Sequence, residues 1–85
     1  MNEPMLAATL DGRVIVLDTK NARVVLMDAR SERVWRSCQG LTEKEIATHL
    51  GEAALPVQSA LRDLAAAGLV TREHDRWTQA NVAWV

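Results

Sequence analysis

The run Arg23-Val24-Val25-Leu26-Met27-Asp28 is apolar at every position from Val24 to Met27 and then stops on a residue that caps helices. β-Branched side chains favour the pleated backbone, and an unbroken apolar run points to a strand covered on both faces. Asp28 can accept from the free N–H groups of a helix that starts after it. The chain therefore divides here, with strands before Asp28 and helices after it.

Before the division, Met5 to Leu10 reads as a strand, and Asp11-Gly12 is the two-residue signal for a tight hairpin turn. Val14 to Leu17 is the return strand. Asp18-Thr19-Lys20-Asn21 has turn chemistry and leads into the run at Arg23. The expectation is a three-stranded antiparallel meander in the order one, two, three, with Met1 to Pro4 frayed ahead of it.

After Asp28 the apolar period lengthens from two to about 3.6. Ser31, Val34, Trp35 and Cys38 share one face of a helix that Gly40 is expected to end. Thr42 and Glu45 have capping-box spacing, and Leu41 can staple onto Ile46, so a second helix starts at Thr42 and stops at Gly51. Pro56 suits a first helical turn, and a third helix is predicted from Pro56 to Ala67, closed by Gly68 with Leu69 packing back on its last turn. Its apolar stripe is Val57, Ala60, Leu61, Leu64, Ala65 and Ala67; the other side carries Gln58, Ser59, Arg62, Asp63 and Ala66. Leu69-Val70-Thr71 and Arg76-Trp77-Thr78 flank Glu73-His74-Asp75 as a short hairpin. Val82 to Val85 fit no pattern. The fold class is thus α+β and winged helix-turn-helix-like: three strands, three helices and a terminal hairpin.

Eighty-five residues make one domain, and a chain of that size buries roughly 60 to 65% of its unfolded surface. With three Trp and no Phe or Tyr, aliphatic side chains must supply most of the core. The formal net charge of −1, with acids and bases interspersed, gives no field for nucleic acid or an anionic membrane. A single cysteine, Cys38, forms no internal disulfide, and neither a secretory signal nor a membrane span is present, so a cytoplasmic location is expected.

Little in the chain suggests catalysis. His49 and His74 are far apart, Cys38 lies on an apolar helix face, and no nucleophile motif occurs. One Cys and two His without ligand spacing make no tetrahedral metal site, and the isolated glycines make no phosphate loop, so no cofactor is expected. Cys38 reads as a small buried hydrophobe and His49 as a charge at a helix C-terminus. A winged helix-turn-helix would read DNA with its last helix, yet the outward side of that helix offers only Arg62, offset by Asp63. In the hairpin, Glu73 and Asp75 separate Arg72 from Arg76. A DNA-binding regulator is the alternative, not the first reading.

The order of elements, with Val16-Leu17-Asp18 before a turn, Leu26-Met27-Asp28 at the junction, Val34-Trp35, Leu41-Thr42-x-x-Glu45-Ile46 and Leu64-x-x-x-Gly68-Leu69-Val70, resembles the PqqD-like family over about Leu10 to Val70. Members commonly have Leu-Asn where this chain has Met27-Asp28, and often an Asp where it has Pro56. The first change keeps a cap; the second removes a charge. The resemblance implies a binding protein without catalytic activity, which captures the leader of a ribosomally made precursor peptide and presents it to processing enzymes. A chain of this length is similar to the small partners used in lasso-peptide clusters, which work with a leader peptidase and a cyclase.

The residues lead to the same mechanism independently. The third strand of such a meander has a free edge, unblunted by Pro or Lys from Val24 to Met27, and a free edge is a template for strand addition. The expected peptide site is Arg23, Val24, Val25, Leu26 and Met27 with the third helix. There, Val57, Leu61 and Leu64 serve the core first, and Gln58, Arg62 and Ala65 are the preferred border. The opposite border, Ala60, Asp63 and Ala67, stays open. The competing expectation is that Ala80 to Val85 or a second copy covers the edge.

Overall fold

A computed structural model describes residues 4–85; the fraying expected for Met1 to Glu3 lies outside the described residues. β1 (Met5–Leu10) and β2 (Arg13–Asp18) pair antiparallel with Leu10 opposite Arg13. Asp11 and Gly12 turn between them with φ of 53° and 77°, the doubly positive geometry that matches the twist of the strands. β3 (Arg23–Leu26) returns after four residues, Asp18 facing Arg23. The Asp18 carboxylate organises that turn, accepting from the Asn21 side chain at 2.8 Å and its backbone N–H at 3.3 Å. These donors hold its carboxyl below the usual carboxylate range, the Asn21 side chain contributing most.

α1 (Ala29–Ser37) starts at Asp28, whose Oδ1 accepts from the Ser31 N–H at 2.7 Å. It ends earlier than the glycine suggested. Cys38 is the cap, and the chain passes into a strand absent from the sequence reading, β4 (Gln39–Thr42). Gly40, with φ of 77°, occupies a bulge between Gln39 and Leu41 rather than a helix end. A positive φ after a helix serves either role equally well. α2 (Glu43–Leu50) has the full capping box: the Glu45 N–H donates to Thr42 Oγ1 at 3.2 Å, and the Thr42 N–H donates to Glu45 Oε1 at 2.9 Å.

α3 (Ala54–Ala66) begins two residues before Pro56. Pro56 is its third residue, where an N–H would have no partner within the helix, so the proline removes no helical bond. At the other end Gly68 takes φ of 76°. The Gly68 N–H donates to the Ala65 carbonyl at 3.0 Å and the Leu69 N–H to that of Leu64 at 2.9 Å, the paired closure that turns Leu69 into the core. β5 (Val70–Glu73) and β6 (Arg76–Gln79) form the expected hairpin around His74 and Asp75, and β4 joins them in a three-stranded sheet ordered β4-β6-β5.

The tail forms β7 (Val82–Trp84), which runs parallel to β1 with Met5 opposite Val82 and Ala7 opposite Trp84. The first sheet therefore has four strands, β3-β2-β1-β7, instead of three. The tail covers the edge of β1, the side of the sheet away from β3.

The fold is α+β, with three helices against one face of a mostly antiparallel sheet, in a body only 17 Å thick along its shortest axis. Ala7, Val14 and Val16 from the sheet meet Val34, Trp35, Ile46, Val57, Leu61 and Leu69 in one core. Trp35 is 1% exposed. Its indole N–H donates to the Leu69 carbonyl at 3.0 Å, and its ring lies 5.9 Å from that of Trp84. Cys38 is buried beside it, and desolvation pushes its thiol up to about 11. Among the described residues no helix is long and apolar enough to cross a membrane.

Trp35→Ala should cost about 3 to 5 kcal/mol as a full ring leaves a cavity, read as a drop in a chemical or thermal melt. Thr42→Ala should cost about 1 kcal/mol by opening the capping box. Hydrogen bonds from Thr42 and Ser31 hold the Glu45 and Asp28 carboxyls below their ordinary values. Such stabilisation is complete above the unfolded carboxylate value and lost as pH falls through the lower folded one. The melting temperature should therefore drop on the acid side, and Glu45→Gln should flatten part of that limb.

Candidate functional site

β3 pairs with β2 on one side, and no other described strand lies on its far side. The Met27 N–H donates to the Val14 carbonyl at 3.0 Å. Antiparallel ladders alternate, so Met27, Val25 and Arg23 direct their backbone groups to β2, while Val24 and Leu26 direct N–H and C=O outward to the free edge. The edge thus offers two donors and two acceptors in the spacing an added strand requires.

The side chains correct one expectation. Val25 is partly buried and packs on the core, but Val24 is 68% and Leu26 53% exposed. The strand is covered on one face, because the helices lie on one side of the sheet and no described residue forms a layer on the other. Four consecutive apolar residues suggested two-sided cover; here they combine one buried face with one bare apolar face.

The strand runs antiparallel to α3 and is tied to it at its start; past its end, Asp28 and α3 line a shared hollow. At its start, Arg23 Nη2 donates to the Ala67 carbonyl at 3.3 Å and lies 3.4 Å from Asp18 Oδ2. At its finish, Asp28 lines a hollow of about 390 Å³ with Pro56, Ser59, Ala60 and Asp63. A larger hollow, about 690 Å³, opens at the Arg23 end between Lys20, Asn21, Ala67 and Asn81. The helix border that meets the strand is therefore Ser59, Ala60, Asp63 and Ala67. Gln58, Arg62 and Ala65 are exposed on the opposite border, a half-turn of the helical wheel away. Val57, Leu61, Leu64 and Met27 are buried and serve the core. Arg23, Val24, Val25 and Leu26 form the edge as expected. Periodicity puts Ser59 on the helix's outer side, and only its place beside Asp28 brings it to the smaller hollow.

The two hollows differ in charge. Lys20 and Arg23 line the larger one with Asp18, which pairs with Arg23, and Asp28 and Asp63 line the smaller one with Arg30, which also lies 3.8 Å from Glu52. The cations of the hairpin are engaged elsewhere. Arg72 pairs with Asp75 at 3.4 Å and lies over the Trp77 ring, and Arg76 donates to the Gly40 carbonyl at 2.7 Å and lies 3.5 Å from Glu45. Among the described residues there is no group of three or more His, Cys, Asp or Glu placed to hold a metal ion. Compared with known proteins, the chain matches no family model, no curated protein and no solved structure.

The outward N–H of Val24 makes a clear test of this edge. Proline is tolerated where its missing donor faces solvent, so Val24→Pro should melt close to the parent. Val25→Pro should melt well below it, because it breaks a rung to β2. Circular dichroism melts of the two variants decide the alternation, and the reverse ranking would invert it.

Proposed function

We propose that this chain is a non-catalytic leader-binding protein of the cytoplasm. It captures an extended segment of a ribosomal precursor peptide as an added antiparallel strand on β3 and holds it for a leader peptidase and a cyclase. The observation that carries this reading is the free pair of backbone positions at Val24 and Leu26, on a strand that is followed by Asp28 in the hollow it shares with Ser59 and Asp63. The motifs that resemble the PqqD-like family support it, since Leu26-Met27-Asp28 joins this strand to the helices.

Strand addition gives affinity through the main chain and specificity through alternate side chains. Residues of the peptide opposite Leu26 and Val24 project on the bare sheet face, where apolar side chains suit them. The residue between, opposite Val25, projects toward α3. An antiparallel strand places its N-terminal end near Asp28 and Asp63 and its C-terminal end near Arg23 and Lys20. A basic residue before the paired segment and an acidic one after it would fit that polarity, with a salt-dependent contribution.

The alternative, a winged-helix DNA-binding regulator, has the order helix, strand, two helices and hairpin in its favour. The charges oppose it: α3 offers Arg62 beside Asp63, and the hairpin arginines are paired within the protein.

Titration of a labelled leader peptide against labelled duplex DNA, combined with amide exchange, tests the proposal. Binding of leader should protect the amides of Val24 and Leu26 and the Ser59-Asp63 side of α3, and Val24→Pro should abolish it while the fold persists. Arg62→Glu should leave leader affinity within about twofold, as expected for an exposed charge away from the contact. Sequence-dependent nanomolar DNA binding at physiological salt would overturn the reading. So would leader protection confined to β7 or α2.

A further inference from the structure

The outer face of the four-stranded sheet is apolar from strand to strand. Leu6, Leu17 and Val24 lie side by side in one row, and Ala8, Ile15 and Leu26 in the next. Leu6, Leu17, Val24 and Leu26 are exposed, and Ile15 and Ala8 are half-buried between them. Antiparallel sheets with one wet face normally alternate apolar and polar residues; in the three strands of this meander the outer face carries one charge, Arg13. The apolar side chains make a contiguous patch on the order of 500 Å², at the upper end of what monomers leave in water.

We propose that this face is the interface of a symmetric homodimer, in which two copies pack sheet on sheet. Two such patches remove about 1,000 Å² from water before rim residues are counted, which reaches the lower bound for a specific interface. The composition selects a second copy over an unrelated protein. Interfaces between separate proteins are about as apolar as the rest of the surface, whereas homodimer interfaces are more apolar, and this face is aliphatic with a single charge. Charge permits self-pairing as well. Arg13 stands at the end of β2 beside the hairpin turn, so a two-fold axis running across the strands between the layers sends the two Arg13 side chains to opposite ends. The pairing turns a thin slab into two stacked sheets with helices outside, and it leaves the β3 edge open. The dimer rests on the outer-face side chains and does not require leader binding, although Val24 and Leu26 belong to both surfaces.

Sedimentation of the purified full chain from micromolar to millimolar concentration tests the proposal. A concentration-dependent monomer–dimer equilibrium is expected. Leu17→Lys and Leu26→Gln should each weaken it by at least about tenfold, with circular dichroism unchanged because both side chains are already exposed in the monomer. Thr71→Lys, on the other sheet, should not weaken it. A chain that sediments as a monomer throughout overturns the proposal, even if the face then takes a different protein. A dimer indifferent to both folded face variants overturns it too.

Discussion

One carbonyl holds the helical half, the second sheet and the tail together. The Leu69 oxygen, placed by the paired closure at the end of α3, accepts from the Trp35 indole N–H at 3.0 Å and from the Ala80 N–H at 2.9 Å. Both of its lone pairs are used. Trp35 in turn accepts at its own carbonyl from the Gln79 side chain at 2.9 Å, and the Gln79 N–H donates to Cys38. With the largest buried side chain at this junction, the direction of β7 follows. The tail leaves Leu69 pointed toward β1, so it adds to that edge and leaves β3 bare. The free edge on one side of the sheet is thus a consequence of where α3 ends on the other.

Legibility in the sequence tracked how much of each element's stability is local. The Asp11-Gly12 turn, the Asp28 cap, the Thr42-Glu45 box and the Gly68-Leu69 closure each fix their own backbone through neighbours in sequence, and each lies where the residues placed it. β4 and β7 have four and three residues and exist only because distant strands pair with them, so no local period marks them. Gly40 shows the same limit. A glycine of positive φ closes a helix or makes a bulge, and the choice depended on β6, more than thirty residues away. The groove border was likewise undecidable from the helix alone, because α3 has two flanks of similar character and only the packing of α1 selects which one meets β3.

The run at Val24 was the most informative stretch and also the most misleading. Its apolar side chains mark an edge strand, yet an unbroken apolar run also implies cover on both faces. Half of them face a surface that the described residues leave bare. These two exposed rows of aliphatic side chains lie in the upper part of the range that monomers leave in water, and they are what the proposed dimer would cover.

Val24 and Leu26 sit on both proposed surfaces, backbone toward the edge and side chains toward the outer face. This shared position links the two events. A peptide added at the edge lays its own alternate side chains beside Val24 and Leu26, which widens the apolar face by one strand. Packing of a second copy against that face would in turn hold the two residues extended before any peptide arrives. An edge already extended loses less backbone freedom on pairing, so its affinity rises by the amount of that saved ordering. Linkage makes the effect reciprocal: whatever dimerisation adds to peptide affinity, the peptide adds to dimerisation. Two weak interactions that share two residues can in this way act as one recognition event, with the strand that begins at Arg23 as the element both of them order.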